Sequence, residues 1–302
     1  MTELKQSGGK NMNSTQLNKD YAYCEGVIKA SSKSFYTAFS QLPKEKAQAV
    51  YAIYAFCRLA DDMVDSNEIL TIKQNNLLTL KEELTVFSQG RTPDHPMWRA
   101  LRDVFDRYQM DIQPFYDQIE GQERDLIFNG IATVDALQDY SYYVAGSVGL
   151  MLLPILAAKQ GVTRELNESA IALGIGMQFT NILRDVGEDY RENNRIYLPE
   201  DLLQKYQVNL PSVMSEGPNE AFISLWEELA QYSHDYYQKF WHNIEQFDED
   251  CRLPVLAAAR LYHAIMDSVR LNHYDCLSKR NFVPNLKMLQ LVKEAKQDLK
   301  RR

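Results

Sequence analysis

Apolar residues recur at intervals of three and four in almost every segment of this 302-residue chain, and the strict alternation that marks strands is scarce. That period leaves one economical solution: amphipathic helices that bury their stripes against one another. Glycine, 13 of 302 residues, is low against the usual ~7%, which also favours helix. The segments PDHPMWRALRDVFDRY and NEAFISLWEELAQYSHDYYQKFWHNIEQF each carry a one-sided apolar stripe. Pro, Gly and Asx punctuate at QLPKEK, GRTPDHP, MDIQP, QGVT, NNRIYLPEDL, NLPSVMSEGPNE, DEDCRLP and NFVPN. These breaks leave about eight to ten helices. None is long enough to be a linker, so the chain reads as an all-α single domain over 18–302, after a disordered or tag-like start over 1–17.

Charge and cysteine usage narrow the function classes. With 33 basic and 41 acidic residues the net charge is -8, which argues against a duplex nucleic-acid partner. Any anionic ligand must therefore be met by local basic groups. Cys24, Cys57, Cys251 and Cys276 form no CxxC pair, so neither a zinc site nor a disulfide framework is indicated and a reducing cytoplasm fits. The N-terminus lacks the apolar core of a signal peptide, and no run of ~18 apolar residues occurs.

Two acidic clusters interrupt the apolar pattern. In CRLADDMVDS, Asp61 and Asp65 are four apart and share a helix face, with Arg58 one turn before them and Asp62 to one side. The apolar run upstream, AVYAIYAF, implies that this helix is largely buried. Two like charges on a buried face cost several kcal/mol unless something compensates, and a divalent cation would do so directly. In GMQFTNILRDVGEDY, Gln178, Asn181, Asp185 and Asp189 form a slowly drifting stripe beside Arg184 and Glu188. A lone DxxxD is more often the solvated face of a surface helix. Two such clusters, each beside apolar helix and each with an arginine within a turn, favour a site. Oxygen-only ligands suit hard cations such as Mg²⁺, which shares its shell with phosphate oxygens. A di-iron bundle would want Glu-x-x-His, and none of the five histidines has Glu three residues before it.

Here the chain resembles the squalene and phytoene synthases, which join two prenyl diphosphates head to head. The likeness runs from about Tyr21 to Val283. It is carried by SKSFYTAF, YAIYAFCRLADDMVD, YSYYVAGSVG and LGIGMQFTNILRDVGEDYRENNRIYLP, with its order of Gly, Gln, Asn, Arg-Asp, Asp and Arg-x-Tyr-x-Pro. Within the family, the resemblance is greatest to bacterial dehydrosqualene (4,4'-diapophytoene) synthases. It implies an isoprenoid-synthase fold, with helices around a deep central cavity and the two clusters facing across it. It implies that Asp61, Asp65, Asn181, Asp185 and Asp189 hold two or three Mg²⁺ ions that bridge to diphosphate, with Gln178 as a polar neighbour. Arg58, Arg184, Lys33 and Arg280 would meet the phosphates, and Ser32 and Ser34 would donate hydroxyl bonds beside Lys33. Phe35, Phe39, Tyr51, Tyr54, Tyr142 and Tyr262 fall where the family lines its cavity, with apolar walls for the prenyl chain and π faces for a carbocation. Ala145, Gly146 and Gly149 would leave room for substrate or simply allow close helix packing.

The reaction implied passes through a cyclopropylcarbinyl diphosphate such as presqualene diphosphate and ends in proton loss to a conjugated triene, without NADPH. No glycine-rich dinucleotide fingerprint is seen. Bulk at Phe39 and Tyr51 favours two C15 farnesyl diphosphates over two C20 geranylgeranyl diphosphates, the phytoene synthase alternative. Against that, Ser31 stands where close dehydrosqualene synthases tend to have His, and RIYLP is also typical of phytoene synthases. Hydrophobic substrate and product suggest that the cytoplasmic enzyme associates transiently with the membrane, although no amphipathic basic helix in the sequence makes that case on its own, and a carotenoid desaturase would act downstream. A head-to-tail elongase or terpene cyclase would share the acids but not the long run to Pro199. A catalytically inactive helical interaction protein would release no diphosphate.

Overall fold

Side-chain caps start several of the helices. The Ser32 hydroxyl accepts the Phe35 amide at 3.4 Å, and Thr133, Asn209 and Asn219 cap in the same way. His95 caps with its ring nitrogen, ahead of Pro96 at the first helical position. The structure, a computed structural model, describes residues 14–192 and 194–301. Its elements run α1 Ser14–Ser31, α2 Lys33–Phe39, α3 Lys44–Asp65, α4 Leu70–Ser88, α5 Pro96–Arg107, α6 Gln113–Leu126 and α7 Val134–Ser141. A π turn over Tyr142–Gly146 leads into α8 Ser147–Leu156 and α9 Arg164–Glu192. Then come α10 Glu200–Lys205, α11 Leu210–Glu216, α12 Glu220–Trp241, a 3₁₀ turn Ile244–Gln246, α13 Glu249–Leu271 and α14 Asn285–Arg301. No strand occurs among the described residues.

Three expectations need correction. The fourteen α-helices among the described residues exceed the expected eight to ten, because short helices such as α2 and α11 stand as separate elements. Ser32 caps a new helix immediately after α1, and α11 is bracketed by Gln207 and Gly217, both at positive φ. The first helix begins at Ser14, so 14–17 are helical rather than disordered; residues 1–13 lie outside the described residues. Pro254 does not end a helix but lies inside α13, near its start.

α3 packs on α1, α5, α6 and α8, whereas α9 packs on α8, α12, α13 and the π turn, so α8 lies against both acid-bearing helices. One continuous apolar core runs from Tyr21 to Ala295. Glycines let α9 approach the π turn and α8 closely. A Cβ at Gly149 would overlap the Ala170 carbonyl, and one at Gly174 the Ala145 carbonyl. Gly149 therefore serves close packing.

Candidate active site

Asp61 and Asp65 lie at the C-terminal end of α3. Asp61 is half-buried and accepts a 2.6 Å bond from Gln122 Nε2 of α6. Burial, followed by the neighbouring Asp65 charge, pushes the Asp61 carboxyl up to about 7. Gln178, Asn181, Asp185 and Asp189 lie along the C-terminal half of α9. Asp189 is also raised to about 7, by burial first and then by Asp185 and Glu188.

Arg195, just after α9, joins the two clusters. Its Nη1 is 3.6 Å from Asp65 Oδ1 and its backbone N–H donates to the Asp189 carbonyl at 3.0 Å. Nη2 donates to the Asp125 carbonyl at 3.0 Å, and Nη1 to the Tyr197 hydroxyl at 3.3 Å. Asp125, buried on α6, accepts from Tyr197 and Tyr140, each at 3.0 Å. Burial raises its pKa, while Arg195 and these hydroxyls oppose the shift. One guanidinium thus ties α3, α6 and the end of α9 together.

The arginines expected to meet phosphate sit on acids. Arg184 grips both oxygens of Asp185, with Nε at 2.7 Å from Oδ1. Arg280 reaches Asp185 Oδ1 at 3.3 Å and Glu188 Oε1 at 3.1 Å. Arg58 pairs with the exposed Asp62, its neighbour one turn on, rather than with Asp61 or Asp65. Without phosphate, carboxylates are the strongest partners within reach of these forks.

Four rings meet between α2, α3 and α13. Phe35 lies 4.8 Å from Tyr262, 5.7 Å from Phe39 and 6.1 Å from Tyr54, centroid to centroid. Tyr51, buried, lies 5.9 Å from Tyr36. Tyr262 is buried within the field of Arg184 and beside the Ser32 hydroxyl, and its own hydroxyl pKa is raised by burial. Tyr54 feels Tyr262 and Asp61. The ring cluster therefore adjoins both acidic clusters. Phe35, Tyr54, Tyr142, Gln178 and Asn181 are only half-buried, although core residues flank them on the same elements. Lys33 is exposed, Ser34 half-buried, and no hydrogen bond or ion pair joins either to the acids among the described residues. The Tyr142 hydroxyl donates to Asp117 at 2.7 Å, and no hydrogen bond links it to either acidic pair.

Sequence reasoning assigned no role to Gln122, Asp125 or Arg195. Arg195 opens the motif Arg-x-Tyr-x-Pro, so its signal was in view. α6 carries Asp117, Gln118, Gln122 and Asp125, all buried, on one side. Polar residues at helical spacing that leave Phe115 and Ile119 to the core would have pointed there.

Among the described residues, the one set of three His, Cys, Asp or Glu ligand atoms within 4.8 Å is Asp248, Asp250 and Cys251, well apart in sequence from the expected ligands. That set already holds a cation. Lys46 Nζ lies 2.7 Å from both carboxylates and 3.1 Å from the sulfur, which makes it a lysine clamp between α3 and α13. The expected acids fit a metal on other grounds. Asn181 donates to Gln178 at 3.3 Å, which leaves its buried Oδ1 without a hydrogen-bond partner. Asp61 and Asp189 carry buried charge with incomplete compensation. An orphan carbonyl on the same helix as the Asp185 and Asp189 carboxylates is the kind of oxygen donor a hard divalent cation takes.

The sequence and the fold are shared with known proteins. A squalene/phytoene synthase family profile matches residues 28–287. The 15-cis-phytoene synthase of Synechococcus elongatus is 35% identical over 285 residues, covering 90% of this chain and 91% of that protein. The 4,4'-diapophytoene synthase of Staphylococcus haemolyticus is 33% identical over 288 residues, covering 94% and 99%. A crystal structure of a dehydrosqualene synthase in complex with ligand superposes with a TM-score of 0.87 at 42% identity, covering 95% of this chain and 99% of that one. The acids, the arginine bridge and the ring cluster thus stand in an all-α isoprenoid-synthase fold, and the chain belongs to the squalene/phytoene synthase family.

Proposed function

We propose that residues 18–302 form a head-to-head prenyl synthase that condenses two farnesyl diphosphates, through presqualene diphosphate, to dehydrosqualene. Asp61, Asp65, Asn181, Asp185 and Asp189 are the residues that would hold Mg²⁺. Bound there, the cation supplies positive charge to the departing diphosphate as a Lewis acid. In the free protein Arg184 and Arg280 neutralise Asp185; once ligand is present their forks are free to turn to phosphate oxygens. Arg58 and Lys33 add positive charge near the α3 and α2 ends of the site, with Ser32 and Ser34 alongside. Phe35, Phe39, Tyr54 and Tyr262 offer apolar walls and π faces to the chain and its cation, which they steady without attacking. We assign Tyr142 to this lining too, with its hydroxyl directed by Asp117.

Removal of one diphosphate and one proton couples two substrate molecules. Loss of the second diphosphate and rearrangement then end in a conjugated triene by proton loss, so no NADPH is consumed. Such a triene is a substrate for a desaturase that extends the conjugation.

The observation that carries C15 over C20 is the ring packing. Phe35 stacks on Phe39, and Tyr36 packs on Tyr51, so bulky side chains occupy the wall where a longer prenyl chain would extend. The second reading, two geranylgeranyl diphosphates to phytoene, is favoured by the 35% identity to a phytoene synthase. Each diphosphate is to be supplied separately with Mg²⁺ and no NADPH, and the product identified by mass. The proposal expects a C30 triene. A C40 product with no C30 product would select the phytoene reading, and absence of Mg²⁺-dependent diphosphate release would mean an inactive helical protein.

A further inference from the structure

Gln122 touches the acids yet has no part in the proposed chemistry. It is buried on α6, which packs on α3, and its Nε2 crosses to α3 to donate to Asp61 Oδ1 at 2.6 Å. That is shorter than the usual ~2.9 Å of an amide bond, as expected when the acceptor is charged. The partner's type sets Asp61 apart from the other acids of the site. Asp185 is gripped by Arg184 and reached by Arg280, Glu188 by Arg280, and Asp62 by Arg58, while Asp65 lies 3.6 Å from Arg195. Each of these partners sets a full positive charge against its acid. Gln122 brings N–H donors and no charge. A cationic side chain holds a carboxylate by neutralising it, as Lys46 does for Asp248 and Asp250, and so competes with any metal ion that arrives. A neutral amide holds the carboxylate and leaves its charge in place.

Orientation is what such an amide supplies. The last torsion of an aspartate turns in a broad, roughly two-fold well, so the packing of α3 alone does not decide which way the carboxylate plane faces. A bond to Oδ1 fixes that plane and leaves Oδ2 for another partner. The amide is itself firmly placed, because α6 is pinned on both sides of it. One residue earlier, Gly121 lets the π turn come so near that a Cβ there would meet Val144 Cγ1 at 2.8 Å. Three residues later, the Asp125 carboxylate accepts from Tyr140 and Tyr197 and its carbonyl accepts from Arg195. A donor held this firmly can hold its acceptor in turn.

We propose that Gln122 is a positioning residue for the divalent cation: its amide fixes Asp61 Oδ1, so that Oδ2 is presented to the metal with the carboxylate's charge unspent. This rests on the reading of Asp61 as a metal ligand. Gln122→Met keeps the length and bulk of the side chain and removes the donor, and Gln122→Leu replaces it should the Met variant melt below wild type. Gln118→Met is the control, because Gln118 is buried one turn earlier on α6 and bonds to Ser147 rather than to an acid. Inorganic diphosphate is to be titrated calorimetrically into each full-length protein over a series of Mg²⁺ concentrations, and turnover of farnesyl diphosphate measured over the same series. In Gln122→Met the Mg²⁺ concentration that half-saturates diphosphate binding should rise about tenfold, with kcat at saturating Mg²⁺ within about threefold of wild type. Gln118→Met should stay within about twofold of wild type in that half-saturation, whatever it does to the melting temperature. Equal half-saturation in Gln122→Met and wild type overturns the proposal, and so does an equal rise in Gln118→Met, which would mark a packing effect of α6. Asp61→Asn separates the proposal from the reading beneath it. Full Mg²⁺-dependent binding in Asp61→Asn removes Asp61 as a ligand and the role of Gln122 with it, whereas a loss in Asp61→Asn with none in Gln122→Met removes the role of Gln122 alone.

Discussion

Asp61 and Asp189 are held where ionisation is unfavourable, and this sets a stability cost that can be measured. Each carboxyl is raised to about 7 from an unfolded value of about 3.8. The folded state therefore binds the proton more tightly. The contribution of these two groups to stability is greatest at acidic pH and falls as pH rises from about 4 through about 7, by roughly 2–4 kcal/mol per group as an upper bound. Asp61→Asn and Asp189→Asn should each raise the melting temperature of metal-free protein at pH 8, flatten its fall between pH 5 and 8, and abolish turnover. Unchanged or lower melting temperatures in calorimetry would show that these charges are already compensated. Arg195 acts in the opposite direction. Arg195→Met removes the partner shared by Asp65, Asp125 and Tyr197 and should destabilise the fold by about 2 kcal/mol in urea unfolding, because the Asp125 carbonyl and the Tyr197 hydroxyl lose a charged donor and the buried Asp125 carboxylate loses a neighbouring positive charge. Arg195→Lys should recover part of that loss; equal stability of Arg195→Met and wild type would remove Arg195 as the link between the clusters.

At the scale of elements, the segment after α13 is pinned to α9 backbone to backbone. The Gly187 N–H donates to the Cys276 carbonyl at 3.0 Å, Arg191 donates to the Leu277 carbonyl, and a Cβ at Gly187 would overlap that same carbonyl. Gly187→Ala should push the segment away and carry Arg280 off Asp185. The expected result is a loss of about 2 kcal/mol in stability with a higher KM for the diphosphate substrate, measured by unfolding and steady-state kinetics. An unchanged KM would separate Arg280 from substrate binding. The helical character of these elements was legible, because apolar period and caps such as Asn219 are local signals. Their number was not. Pro254 looked like a break and is tolerated near the start of α13, whereas Ser32, read as a hydroxyl donor beside Lys33, also caps α2 and separates it from α1.

For the molecule as a whole, the family and the all-α architecture could be read from sequence because the acids and their flanking residues keep a fixed order along the chain. The pairing of side chains could not. Whether Arg184 turns to Asp185 or to a phosphate, and whether Arg58 turns to Asp61 or Asp62, depends on which charges are present, and periodicity carries no such information. Asp125 and Gln122 were missed for a related reason: α6 contributes them from the middle of a helix whose value to the site comes only from what faces it. The account makes the site one unit assembled from α3 and α9 across Arg195. The most direct test is calorimetric titration with inorganic diphosphate, with and without Mg²⁺, of wild type, Asp61→Asn and Asp185→Asn. The account predicts that wild type binds diphosphate only with Mg²⁺ and that either substitution, on either helix, weakens binding by about tenfold or more. Full Mg²⁺-dependent binding in either variant would contradict a site shared by the two clusters.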